Sequence, residues 1–266
     1  MVDDEPPLRQ PTTADPAEHT RLRRLLGELE ETLLRSPRQV AGGVETYLVP
    51  AWRRVTEGEP RWPVSLSVLA AVAMQATLPS RVSLGPRWAL PSIAGVLLVV
   101  LVAANPRRIN RASPSLRVCS MVLIATVSAA NAWSAGRLVI GLVRGTEASD
   151  ATRLLLTGGA IWLTNVIAFA LWYWELDRGG PVARAHAVRD HPDFLFAQMQ
   201  SPDLAPADWE PGFVDYFYLS FTNATAFSPT DVLPLSRWAK LTMLVQSAVS
   251  LMTVALVIAR AVNILK

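Results

Sequence analysis

Charge is scarce in this chain. Only 18% of its 266 residues are Asp, Glu, Lys or Arg, against about a quarter in an ordinary soluble domain, which excludes the usual solvated globular surface. Cysteine is nearly absent. Cys119 stands alone, so no intramolecular disulfide can form, and its place at the start of an apolar run makes it lipid-facing or packing filler. Missing as well are a nucleophile elbow, a phosphate-cradling glycine loop, a paired-carboxylate site and zinc-ligand spacing. Enzymatic chemistry is therefore not expected, and neither a cofactor nor a small-molecule substrate is implied. The net charge of +3 comes mostly from arginines beside apolar runs; with no basic stripe of interleaved aromatics, nucleic acid is not an expected partner. No internal repeat is convincing. The first apolar run begins only at Pro63, behind a charged segment, so the first span is expected to act as its own insertion signal in place of a leader.

Apolar residues dominate what is there. They make up 51% of the chain, mean hydropathy is +0.27, and there are nine tryptophans. A transmembrane helix needs about 17 to 25 mostly apolar residues, and five runs meet or approach that: residues 63–78, 88–104, 118–136, 154–174 and 241–259. The expected fold is an all-α membrane protein, with the lipid bilayer as its surroundings and a multi-pass cell-membrane location. Three parts are expected: a polar segment at residues 1–62, three transmembrane helices at 63–150, and a module at 151–266. In the first part, Asp15, Pro16 and Glu18 make a capping box, and Leu22, Leu25, Leu26, Leu29 and Leu33 recur at helical spacing until Ser36-Pro37, which predicts an N-terminal amphipathic helix. Its charges alternate in sign, which favours packing on protein over anionic lipid.

In the last part, a span ending in the aromatic belt "LWYWE" is followed by a Pro/Asp-rich loop, then by "FVDYFYLSFTNAT", then by a turn and a full span. The short aromatic segment is too polar to cross a bilayer and apolar enough to enter one, which is the pattern of a re-entrant helix and loop. Irregular backbone at membrane depth persists only where protein or a water-filled cavity surrounds it. The competing reading is an interfacial helix at residues 213–227 lying on the surface.

The stretch "DYFYLSFTNATAFSPTDVLPLSRWAKLTMLVQSAVSLMTVALVIARAVNIL" resembles the pore module of the potassium-channel superfamily. In that family an outer helix, a pore helix, a filter and an inner helix follow one another. Asp215 to Phe221 take the place of the pore helix, Thr225 falls on the threonine before the filter, and Asp231 on its closing aspartate. The arrangement ahead of it is also similar to a bacterial multi-span membrane family of unassigned function. The resemblance covers about the last fifth of the chain. It implies about five transmembrane helices plus a re-entrant pore helix and loop, a homo-tetramer, and permeating monovalent cations in place of any cofactor.

The departure lies where the family's ion chemistry is done. Ala226, Phe227, Ser228, Pro229 and Thr230 stand in the five filter places, with no glycine among them. Glycine enters positive-φ conformations at little cost, whereas Pro229 fixes its own φ and pushes Ser228 toward extended backbone. The expectation is a wider mouth lined by hydroxyls of Thr225, Ser228 and Thr230 with Asp231 at its rim, favouring cations weakly through its field. In the last span Thr242, Gln246, Ser250 and Thr253 share one helical face, read either as pore-lining or as interhelical hydrogen bonding.

Other polar residues carry less. His186, His191, Asp190 and Asp193 read as a solvated loop, not a metal site. Glu175 marks the membrane interface or bridges to the pore helix, and Asn131 and Asn165 are expected to bond between helices. The four arginines of "NPRRINRASPSLR" place that loop in the cytoplasm. With four full spans the pore loop then opens inward, opposite to the channel family, unless a short first segment fails to cross or the arginine rule fails here. No helix carries an arginine at every third position, so voltage sensing of that type is not expected. Two function classes stand at this level. One is an oligomeric pore-loop cation channel with a weakly selective filter; the other is a non-conducting scaffold or sensor that keeps the fold.

Overall fold

The computed structural model describes residues 50–86, 88–111, 113–146, 150–225 and 231–265. The amphipathic helix expected in the first part lies outside them. The long helices are α1 (Trp62–Thr77), α2 (Ala89–Ala104), α3 (Pro114–Val143) and α4 (Ala151–Leu176). After two short helices, α5 (Pro181–Ala185) and α6 (Ala197–Gln200), come α7 (Phe213–Thr225) and α8 (Arg237–Leu265). Two antiparallel ribbons tie loops together: β1 (Glu59–Pro60) pairs with β2 (Arg108–Ile109), and β3 (Phe194–Phe196) with β4 (Val232–Pro234).

Local chemistry sets the helix ends. Pro63 sits in the first turn of α1 and Pro114 in that of α3, where a missing N–H costs nothing. Asp150 caps α4, its carboxylate accepting from the N–H groups of Thr152 at 2.9 Å and Arg153 at 3.2 Å. At the other end of α4, Arg178, Gly179 and Gly180 take φ of 53°, 88° and 99°, and a side chain on Gly180 would come within 2.8 Å of the Glu175 carbonyl. Gly180 is thus the residue that lets the chain turn back over the helix end.

Among the described residues, three helices are long and apolar enough to cross a membrane: α3, α4 and α8. The other two expected spans, α1 and α2, have 16 residues each, about 24 Å of helix against a hydrocarbon core of about 30 Å. In its most apolar stretch α4 is 61% buried and α8 only 28%, so α4 is the hub and α8 the flank. Gly158 of α4 allows a close crossing, since a Cβ there would lie 2.8 Å from a Val257 methyl of α8.

Residues 50–61 are not part of a separate N-terminal segment. Pro50–Lys266 forms one unit, in which the Thr56 N–H donates to the Ala185 carbonyl at 2.8 Å and Glu59 is buried. Residues 50–61 thus pack with the helices that follow them. The helices alternate in direction. The start of α1, the end of α2, the start of α3 and the end of α4 border one cleft, while Leu78, Val82, Leu138, Leu142, Leu154, Val257 and Ala261 cluster at the opposite end.

Candidate functional site

Helix α7 begins where its first turn closes on itself. Asp215 Oδ2 accepts from the Gly212 N–H at 2.8 Å, a reach back across the helix start that fixes its entry. Its buried face carries Phe213, Tyr216, Leu219, Ser220, Asn223 and Ala224, at helical spacing toward α4 and α8. Near the start, the Tyr216 hydroxyl donates to Asp177 at 2.5 Å, just beyond the end of α4. Near its end, Phe221 packs edge-on against Trp162 at 5.6 Å between centroids, and Ser250 Oγ donates to the Ala224 carbonyl at 2.6 Å. Trp162 and Ser250 lie about 20 Å along α4 and α8 from the end at which α7 enters. The two helices, of 26 and 29 residues, are about 40 Å long. The short helix thus descends half their length.

The chain then returns to its starting level. Asp231 accepts from the Tyr218 hydroxyl at 3.1 Å, and β4 pairs with β3 beside Tyr216, whose ring meets Phe196 at 5.3 Å. Of the filter-like residues, Thr225 is the last of α7, and its hydroxyl donates to the Thr222 carbonyl at 2.9 Å. Ala226, Phe227, Ser228, Pro229 and Thr230 lie outside the described residues.

Gln246 is the centre of a polar hub. Its Oε1 accepts from the Tyr173 hydroxyl at 2.6 Å and from Asn223 Nδ2 at 2.8 Å. Its Nε2 donates to the Ser220 carbonyl at 2.9 Å and to Ser220 Oγ at 2.7 Å. Every hydrogen-bonding site on this amide has a partner, and the residue is fully buried. Ser250 accepts from Trp162 Nε1 at 2.7 Å, while Thr242 and Thr253 donate back to their own helix. Within the chain, Gln246 and Ser250 thus face α4 and α7, and their polar atoms are taken up in interhelical bonds, not presented along an axis. Two of the four residues of that stripe, Gln246 and Ser250, thus have interhelical partners in place, and among the described residues the other two do not.

A second buried network holds the loop between α4 and α7. Arg184 donates to Glu59 at 2.7 Å and to the Trp174 carbonyl at 2.6 Å; Trp174 Nε1 donates to the other Glu59 oxygen at 2.8 Å. Burial works to lower the pKa of Arg184, but the Tyr216 phenol and the carboxylates of Glu59 and Asp177 outweigh it and hold the guanidinium above its ordinary value. Asp193 bonds to the Arg178 N–H at 3.0 Å and to Trp238 Nε1 at 2.8 Å, and the Arg178 side chain donates to the Trp52 carbonyl. Asp193 is thus a structural acceptor, whereas His186 and His191 are exposed. Asn131 bonds across to Gln75 at 3.4 Å, but Asn165 Nδ2 has no partner among the described residues. Glu175 turns to α3, where Ser120 Oγ donates to it at 2.7 Å.

Comparison with protein-family models, curated proteins and solved structures gives no match. The site must therefore be argued from its own geometry. The Glu59–Arg184 pair, 125 residues apart, leaves no local pattern to read. One signal was available: "ELDRGGPVAR" sets four charges against the end of an apolar run, more than an interface marker needs.

Proposed function

We propose that residues 151–266 form a pore-loop module and that the chain is an integral membrane cation channel, assembled as a homo-tetramer with a non-standard, weakly selective filter. One observation carries this reading: α7 descends to half the length of α4 and α8, and the chain comes back to the level it left. With α4 and α8 across a bilayer, the end of α7 at Thr225 sits at mid-depth, where a chain leaving its helix needs a water-filled or protein-lined cavity. One chain supplies one such hairpin, so closure takes several copies about an axis. Exposed Val214, Tyr218 and Phe221 on α7, with Leu233 and Leu235 beside them, offer an apolar face for a neighbouring copy. In this reading α1 and α2 also cross, with local thinning of the bilayer around them, and Asp231 draws monovalent cations to the rim.

A non-conducting scaffold is the second reading, and the Gln246 hub favours it. Between its polar ends, where Arg237, Lys240 and Asn263 are exposed, α8 exposes Leu241, Leu244, Val245, Leu251, Met252 and Ile258, which suits lipid or a dry seam better than a wet lumen. Potassium and sodium flux into liposomes, with the oligomer verified by cross-linking, separates the two. Flux is expected, and Asp231→Asn is expected to reduce it most at low salt, where a rim charge is least screened. Silent but oligomeric protein overturns the channel and leaves the scaffold; a cross-linked monomer overturns the shared lumen.

A further inference from the structure

The cleft bordered by the ends of α1 to α4 encloses about 420 Å³ and is chemically unlike the rest of the molecule. Arg61, Arg111 and Arg117 line it against one carboxylate, Glu175. Glu175 is already engaged, by Ser120 at 2.7 Å and by Arg117 at 4.0 Å. Arg61 is not. Its residue is 7% exposed, yet no hydrogen bond or ion pair reaches its guanidinium among the described residues, and its Nε is buried without a partner. A guanidinium whose Nε is held out of water and which has no counter-charge is costly, and folding alone gives no reason to place one beside a cleft.

The opposite wall supplies a second attraction. The cleft is bordered by Ser113 and Pro114, the start of the 30-residue α3, whose first turn has no side-chain cap. Its leading N–H groups lack helical acceptors and carry the positive end of the helix dipole. The remaining wall is mostly apolar, with Leu101 and Leu116 beside Asn105, Ser120 and His186. A cationic floor, a helix N-terminus and an apolar flank together fit a phosphate group, with room beside it for a hydrocarbon chain.

We infer that this cleft binds a phosphate-bearing anion, supplied either by the headgroup of an anionic phospholipid or by soluble phosphate. Arg61 is the buried anchor and Arg111 the exposed guide. The site lies apart from Asp231 and the turn after α7, so it does not depend on whether the chain conducts.

The test is thermal unfolding of the full chain in neutral detergent, with phosphatidylglycerol, phosphatidylcholine or inorganic phosphate added. An anion that binds only the folded state raises Tm by mass action. Phosphatidylglycerol is expected to raise Tm by several degrees and phosphatidylcholine to leave it unchanged. If inorganic phosphate alone reproduces the rise, the source is soluble; if only the lipid does, it is the bilayer. Arg61→Met is expected to abolish the rise without lowering the Tm of ligand-free protein, because it removes an unpaired buried charge. Arg111→Gln, an exposed change that leaves the fold intact, is expected to weaken binding about ten-fold. No rise with either anion overturns the inference. So does an equal rise in Arg61→Met, or a fall in its ligand-free Tm with the rise retained, which would make Arg61 a structural residue.

Discussion

Two buried polar regions lie within one chain and are finished to different degrees. Around Gln246 each donor and acceptor of the amide meets a partner from α4 or α7. Arg61 is buried too, at the wall of a cleft, but its Nε has no partner among the described residues. Burial is the same kind of cost in both places. In the first the protein itself offsets it; in the second nothing described does. Satisfied polarity fixes helices relative to one another, and unsatisfied polarity is where a ligand gains most by arriving. The contrast separates architecture from function without any relative for guidance.

Several substitutions can break or sharpen that contrast. The largest effect is expected for Arg184→Met, which strands Glu59 in the interior; losing one partner of a buried pair costs about 3–5 kcal/mol, read as a sharp fall in Tm in detergent. Gln246→Leu comes next. It orphans the Tyr173 hydroxyl and takes one of two bonds from Asn223 Nδ2, which keeps the Met243 carbonyl, at about 1–3 kcal/mol for each group that cannot repartner. An unchanged Tm there would erase the distinction and return the stripe to a lumen. Tyr216→Phe removes the 2.5 Å bond to Asp177, a hydrogen bond to a charged acceptor worth about 1.5–3 kcal/mol, and should expose the loop between α4 and α7 to proteolysis before the helices loosen. Arg61→Met sits at the bottom of the scale, with no loss or a small gain in ligand-free stability; a large loss would mean that the two regions are alike after all. A separate check concerns the frame. Single-cysteine labels at Arg108 and Asp190, in a Cys119→Ser background, are expected to react from the same side of the membrane, since both loops lie at one end of the helices.

The helices were largely legible in the sequence, and their surroundings were not. Hydropathy located all five long helices because an apolar run needs no partner to be recognised. Its limits erred where charge interrupts a continuous helix: α3 runs from Pro114 to Val143, beyond the run at 118–136, because Arg117 and Arg137 sit on exposed surface and break the hydropathy while leaving the backbone helical. The short helix expected within residues 213–227 is α7, ending at Thr225. Periodicity placed Thr242, Gln246, Ser250 and Thr253 on one face, but a period cannot say what that face meets; Tyr173 and Ser220, which answer the question for Gln246, are ordinary residues in their own segments. Arg61 was invisible for a related reason. Its significance is the lack of a partner, and only three-dimensional packing reveals a lack.

The β3–β4 ribbon joins Phe196 to Val232, so the chain before and after α7 is clasped at one place. The clasp continues into α8, where the Leu235 N–H donates to the Asp193 carbonyl at 2.8 Å and Trp238 Nε1 to the Asp193 carboxylate at 2.8 Å. A fault in β3 would therefore be passed to the start of α8 as well as to α7.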